Sequence, residues 1–184
     1  MTASQDTRYY SQPLIRVRRF QPEDQDQVVQ IFASGMLAYA QVEGQDVRFY
    51  RNYVDKTLKT DLGDIEGTYF ASGGHFWVAT TTVGEQEVVV GMVGLEGKPD
   101  GVGEVRRMSV MPEYRRFGVG RDLIDHLERW AEQNGFTKVW LATGRVMVQA
   151  CRFYESLGYK DAGSGAFSTE YPYIIEVYYE KCLS

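Results

Sequence analysis

Apolar and polar positions change rhythm along this chain, and the changes divide it into short strands and amphipathic helices. Residues 14–19 alternate, with Ile15 and Val17 set against Arg16 and Arg18, the two-residue period of a strand with one buried face. Pro22, Glu23 and Asp24 supply first-turn helix chemistry, and Val28, Val29, Ile31 and Phe32 give the helix that follows its apolar side. Val47, Tyr50, Val54 and Leu58 recur at three and four, predicting a second helix over 45–62. Residues 63–74, with four glycines, read as a loop. Residues 75–82 and 87–95 read as a hairpin turning at Gly84, and residues 103–111 as a further strand stopped by Pro112. From Gly118 the residues Leu123, Ile124, Leu127, Trp130 and Ala131 keep helical spacing as far as Asn134-Gly135. A buried strand at 138–142, a helix at 149–157 closed by Gly158, and strand-like residues 172–181 complete the order. The prediction is an α/β domain with one central, mixed sheet.

Composition narrows what such a domain can do. With 184 residues, 43% of them hydrophobic and 14% aromatic, the chain can bury one real core. No repeat, low-complexity run or linker divides it, so one domain is expected over 13–184 behind a flexible tail at 1–12. Cys151 and Cys182 have no metal-type spacing, which predicts no metal and a reduced, cytoplasmic setting. No signal-peptide profile opens the chain and no apolar run approaches the roughly 20 residues of a membrane helix, so no membrane partner is expected. A net charge of -5 argues against nucleic acid.

Against that acidic balance, residues 105–127, VRRMSVMPEYRRFGVGRDLIDHL, gather five arginines around two glycines where a strand gives way to a helix. Backbone N–H groups at a helix start lack partners and the macrodipole is positive there, so the turn is an anion site. Gly118 and Gly120 let the chain approach a diphosphate, and Arg115, Arg116 and Arg121 add charge-assisted bonds. No Lys-Ser/Thr follows the glycines, which excludes a P-loop, and the spacing is not that of a dinucleotide fingerprint.

MSVMPEYRRFGVG resembles the acetyl-CoA motif of the GNAT superfamily, the Gcn5-related N-acetyltransferases. ACRFYESLGY, residues 150–159, resembles that family's later motif of Ala, helix, Tyr and Leu-Gly-Phe/Tyr, and the two lie about one helix and one strand apart, as in the family. The resemblance implies a single GNAT-like domain at 13–184, with a mostly antiparallel sheet, a splayed strand pair and about four flanking helices. It further implies that backbone groups of Met108, Ser109 and Val110 bind the pantetheine arm and acetyl carbonyl of acetyl-CoA. The N–H groups from Arg116 through Phe117, Gly118, Val119 and Gly120 to Arg121 would take the diphosphate.

Tyr154 matches the family's general acid. A thiolate whose thiol has a pKa of about 8.5 can take a hydrogen bond or proton from a phenol of about 10. The attacking amine must lose a proton, since an ammonium of about 10.4 has no lone pair at neutral pH. Glu104, six residues before Val110, stands where some family members carry a catalytic glutamate; it or a water serves as base. With a period of two, residues 104, 106, 108 and 110 should share one face.

Ala142 and Met147 depart from the pattern. Bacterial ribosomal-protein N-terminal acetyltransferases carry a glutamate at the first position, and many members carry a cofactor-binding Asn at the second. The remaining expectations are a surface role for His75, a solvated His126, an inert Cys151, packing for Phe153 and Leu157, and Tyr171, Tyr173, Tyr178 and Tyr179 divided between core and acceptor pocket. Arg106 and Arg107 are candidate receptors for an acceptor carboxylate. The resemblance implies transfer of an acetyl group to a small-molecule or protein amine through a tetrahedral intermediate. The alternative is a non-catalytic acyl-CoA sensor or scaffold. The resemblance further implies that the acceptor is chosen by residues 33–75 and the last strands, and that the protein is a monomer or homodimer.

Overall fold

The computed structural model describes residues 12–42 and 44–183. The tail expected at 1–12 lies, except for its last residue, outside them. Seven strands form one sheet in the order β1-β2-β3-β4-β5-β7-β6. They are β1 (Arg16–Arg19), β2 (His75–Val83), β3 (Gln86–Lys98), β4 (Val102–Val110), β5 (Lys138–Gly144), β6 (Lys160–Ala166) and β7 (Ile175–Cys182). Every pairing is antiparallel except that of β4 with β5. Four helices flank the sheet: α1 (Gln25–Tyr39), α2 (Val47–Leu58), α3 (Val119–Gln133) and α4 (Val148–Ser156). This is the expected α/β architecture.

Each face of the sheet carries its own core. On one face α3 buries Val119, Leu123, Ile124, Leu127 and Ala131 against Val93, Leu95, Val105 and Val139, while α4 adds Tyr154 and Leu157. Full burial of each Leu or Ile contributes about 1.5–3 kcal/mol, so this stripe is what seats α3. On the other face Val28, Ile31 and Phe32 of α1 and Val54 of α2 pack on Phe76, Val78, Val89 and Met92. These helices lie over the β1–β4 half, and the same face over β5 and β7 borders a cleft.

Two segments differ from the sequence reading. Residues 63–74 contain a turn of π-type helix, Glu66–Phe70, which drives Tyr69 to complete burial beneath α2. β6, of sequence KDAGSGA, has no apolar alternation to betray it and forms because β7 offers it an edge.

The central feature lies in β4. Met92 of β3 faces Ser109 and Gly94 faces Arg106, so two residues, Arg107 and Met108, oppose Val93 alone. Arg107 takes up the extra length with φ of 56°, a left-handed conformation that costs a non-glycine residue about 1–2 kcal/mol. A one-residue bulge reverses the facing of everything beyond it. Val105 lies in the α3-side core, and Met108 and Val110 pack against that same core. Glu104 and Arg106 therefore face the opposite way, and the expected common face for 104, 106, 108 and 110 does not hold. β4 and β5 pair only through Val102–Lys138, Gly103–Val139 and Glu104–Trp140, after which they splay.

Candidate active site

The splay opens a cleft of about 1760 Å³ that reaches from the start of α3, between β4 and β5, to the uncovered face of β5 and β7. Pockets for drug-sized ligands measure roughly 300–1,000 Å³, so this cleft has room for a long substrate and a second one meeting it. At one end a turn of 3₁₀ helix, Pro112–Phe117, delivers the chain to Gly118, whose φ of 78° turns it into α3. The first α3 bond of this kind runs from the Asp122 N–H to the Gly118 carbonyl at 3.0 Å, leaving the N–H groups of Val119, Gly120 and Arg121 without intrahelical acceptors.

The two glycines are needed for different reasons. A Cβ on Gly118 would meet open space, so its requirement is conformational, whereas a Cβ on Gly120 would stand 3.2 Å from both Met108 Cε and Phe153 Cζ. Gly118→Ala is accordingly expected to lose about 1–2 kcal/mol of stability, read as a lower urea midpoint with an unchanged m-value.

The predicted phosphate-cradle residues divide by side chain. Arg115, Gly118, Gly120 and Arg121 line the cleft; Arg116 and Phe117 are exposed outside its lining, and the Val119 side chain is fully buried in the core. Met108, Ser109 and Val110 form the wall at the splay. Met111 N–H donates to the Val90 carbonyl at 2.9 Å. The alternation of an antiparallel ladder then turns the Val110 N–H and carbonyl away from β3, toward the gap that β5 has left. Arg115 Nε donates to that carbonyl at 3.1 Å, so the Val110 N–H is the donor facing the gap.

Tyr154 reaches the same cleft from α4, its ring edge-on to Phe153 and Tyr159. Among the described residues its hydroxyl has no hydrogen-bond partner. Burial, aided by Cys151, pushes its pKa well above the ordinary phenol value, so the proton stays on the oxygen at every working pH. Leu157 is buried and Phe153 half-buried in packing roles.

Glu104 lines the cleft beside Trp140, but its carboxylate is already engaged: Oε2 lies 2.9 Å from Lys98 Nζ and Oε1 3.7 Å from Arg106 Nε. Neither Arg106 nor Arg107 is the free carboxylate receptor anticipated. Arg106 pairs with Glu96. Arg107 donates from Nε and Nη2 to Asp61 at 2.6 and 2.8 Å, and from Nη1 to the Tyr53 hydroxyl. Tyr69 donates to the same aspartate at 2.6 Å. Burial works against a charged Asp61, yet the Arg107 bonds and charge outweigh it and hold the carboxyl below its ordinary pKa.

The histidines lie elsewhere. His75 stacks on Trp77 with centroids 4.7 Å apart and meets the edge of Trp130, and His126 meets Trp77 edge-on at 5.7 Å. Both are half-buried, and burial lowers both pKa values. The expected surface His75 and solvated His126 are thus corrected, because Trp77 projects between β2 and α3 and gathers both rings. Ala142 and Met147 line the cleft where the family pattern has polar groups. Of the late tyrosines, Tyr179 is core, Tyr173 and Tyr178 line the cleft, and Tyr171 packs near Phe49.

Two acids went unrecognised in the sequence. Nothing local marks Asp61, whose partner is 46 residues away. Glu176 could have been found by carrying the two-residue period along the last strand: Val177 and Tyr179 enter the α3-side core, which sends 176, 178 and 180 to the cleft side.

Residues 39–159 match the model of the acetyltransferase (GNAT) family. Human N-acetyltransferase 8 is 34% identical over 124 residues, 64% of this chain and 53% of that protein. N-acetylaspartate synthetase of Xenopus tropicalis is 38% identical over 114 residues, 61% of this chain and 41% of that one. The chain thus spans about half the length of these relatives, or less. Among solved structures, a GNAT-family acetyltransferase of Staphylococcus aureus superposes with a TM-score of 0.74 at 21% identity, covering 93% of this chain and all of that one. The PaiA N-acetyltransferase of Thermoplasma acidophilum, in complex with coenzyme A, gives 0.72 at 16%, covering 92% and 99%. At these identities the superpositions speak to fold alone.

Proposed function

The chain belongs to the acetyltransferase (GNAT) family, and from that premise we propose that it is an N-acetyltransferase moving the acetyl group of acetyl-CoA to a primary amine by direct attack. The observation that carries this reading is a single cleft that joins three sets of groups: the unpartnered N–H groups at the start of α3, the outward-turned Val110 N–H at the splay, and the unpartnered Tyr154 hydroxyl. Their chemistry suits an acyl-CoA, with its diphosphate at one end and its thioester at the other.

In this reading the N–H groups of Val119, Gly120 and Arg121, with Arg115 and Arg121 flanking, hold the diphosphate. Arg116 and Phe117 serve through the backbone of the preceding turn. Met108 and Ser109 guide the pantetheine arm, and the Val110 N–H bonds the thioester oxygen, where negative charge grows as the amine attacks. Tyr154 donates to the departing sulfur. The ammonium gives its proton to a carboxylate of the cleft or to water, and Glu104 is the residue to which the resemblance points.

Calorimetry tests the first half without knowledge of the acceptor. Wild-type protein should bind acetyl-CoA at micromolar concentration, and Arg115→Ala/Arg121→Ala should bind about tenfold more weakly, with a larger gap at low salt. Both arginines are exposed, so their removal spares the fold. Gly120→Glu is a poorer probe, since its side chain would collide with Phe153 and Met108 whether or not a phosphate binds there. Failure of the wild type to bind overturns the reading. Binding without acetylation of any amine would favour the sensor.

A further inference from the structure

Among the described residues two carboxylates of this cleft have no side-chain partner, Glu113, which is exposed on the turn before α3, and Glu176, which is half-buried on the sheet. Glu176 lines the cleft from β7, on the same side as Glu104 and Tyr178. Its neighbours across the sheet are glycines on both sides, Gly144 of β5 and Gly165 of β6, so no cross-strand side chain covers it. Among the described residues it makes neither an ion pair nor a side-chain hydrogen bond, whereas Glu104 is held by Lys98 and Arg106.

The same cleft has an aromatic wall. Phe49 and Tyr53 of α2 are stacked with centroids 5.9 Å apart, and Phe167 meets both edge-on at 5.0 and 5.7 Å. All three line the same cleft. The two arginines nearest the splay are paired with Glu96 and Asp61, so neither offers its charge to Glu176.

Resting on the acetyltransferase reading, we propose that Glu176 receives the acceptor's ammonium and takes its proton, and that Phe49, Tyr53 and Phe167 hold an apolar, in particular aromatic, substituent of that amine. The ammonium loses two protons in all. One passes to a Glu176 oxygen and on to water. The freed lone pair forms the N–C bond, the C–S bond breaks with its electron pair on sulfur, and the second proton ends on that sulfur by way of Tyr154.

Burial, and then the charge of Glu104, raise the pKa of Glu176, which suits a base that must hold a proton during turnover. The other titratable groups near it are these. Arg145, which follows β5 and lines the cleft as an exposed cation, donates to the Ser164 hydroxyl at 2.9 Å, and on β7 Glu180 pairs with Lys138 while Tyr178 is a phenol.

The test uses phenethylamine as acceptor, with ethylamine as its apolar-deficient counterpart. Wild type should acetylate phenethylamine with a kcat/KM about ten- to a hundredfold above ethylamine. Glu176→Gln should bind acetyl-CoA as wild type does and lose about 10²- to 10⁴-fold in kcat/KM at pH 7. Its rate should then climb about tenfold per pH unit toward the amine's own pKa, about 10 for an alkylammonium, where wild type has already reached its plateau. Because an ionised Glu176 with a raised pKa disfavours the folded state as pH rises through that value, the Gln variant should melt no lower than wild type at pH 7. A merely structural residue would not move the pH profile.

Wild-type kinetics in Glu176→Gln, or an unchanged pH profile, would overturn the proposal. So would loss of acetyl-CoA binding in that variant, which would place Glu176 at the cofactor, or the absence of any preference for phenethylamine. Failure of the wild type to bind acetyl-CoA is a separate outcome that strikes the acetyltransferase reading itself.

Discussion

Tyr154→Phe will bind acetyl-CoA as the wild type does and lose about 10²- to 10⁴-fold in kcat with little change in KM. The substitution removes one oxygen from a ring packed against Phe153, Tyr159 and Tyr179. Because that hydroxyl has no partner among the described residues, its loss orphans no buried group, and the variant should melt within a degree or two of wild type. An effect on kcat alone would identify an interaction made with the departing sulfur and not with the bound substrate. Wild-type kcat in the folded variant would reduce Tyr154 to packing and leave proton delivery to water. Burial holds the phenol's pKa well above its ordinary value, so the wild-type rate should show no alkaline limb from tyrosine ionisation up to about pH 10.

Asp61→Ala is expected to be the most damaging single change to the fold. Asp61 is 4% exposed and receives two bonds from Arg107 and one from Tyr69. Taking away one partner of a buried pair leaves an uncompensated charge and costs about 3–5 kcal/mol, out of the roughly 5–15 kcal/mol that stabilises a typical domain. The loss should appear as a large fall in the urea midpoint. Asp61→Asn, which keeps an acceptor but not the charge, should lose less.

The pair also has a catalytic consequence, because Arg107 is the residue whose positive φ makes the bulge. With its guanidinium released, β4 can relax toward regular pairing, and Asp61→Asn should bind acetyl-CoA more weakly even where it remains folded. The pH dependence follows from the sign of the shift. Asp61's folded pKa lies below the unfolded value of about 3.9, so the unfolded chain binds more protons in that window. The stabilisation is present above that value and disappears as pH falls through the lower folded one. Acid unfolding should therefore be shallower in Asp61→Asn than in wild type.

Much of the turn into α3 was legible because its determinants are neighbours along the chain. Gly118 turns the backbone by its own φ, the next N–H groups lack acceptors because they begin a helix, and the stripe from Leu123 to Ala131 seats that helix whatever lies elsewhere. The ACRFYESLGY motif similarly placed Tyr154 on a helix whose inner side it occupies. The far end of the cleft was not legible in this way. Period-two reasoning failed past Arg107, since a bulge is set by the register of β3 against β4 and not by either strand alone.

The amino-acid sequence by itself determined the α/β class, the order of most elements, the glycine turn that opens α3 and the family, most of which rest on contacts within one turn or one strand. Only the tertiary structure decided that Arg107 serves Asp61 and not a substrate, that Glu104 is tied to Lys98, that His75 and His126 belong to the Trp77 cluster, and that Glu176 stands uncovered between two glycines. Each of these depends on which strands become neighbours. A side chain's charge is written in its own residue, but whether that charge is free to act is settled by partners that folding brings from far along the chain.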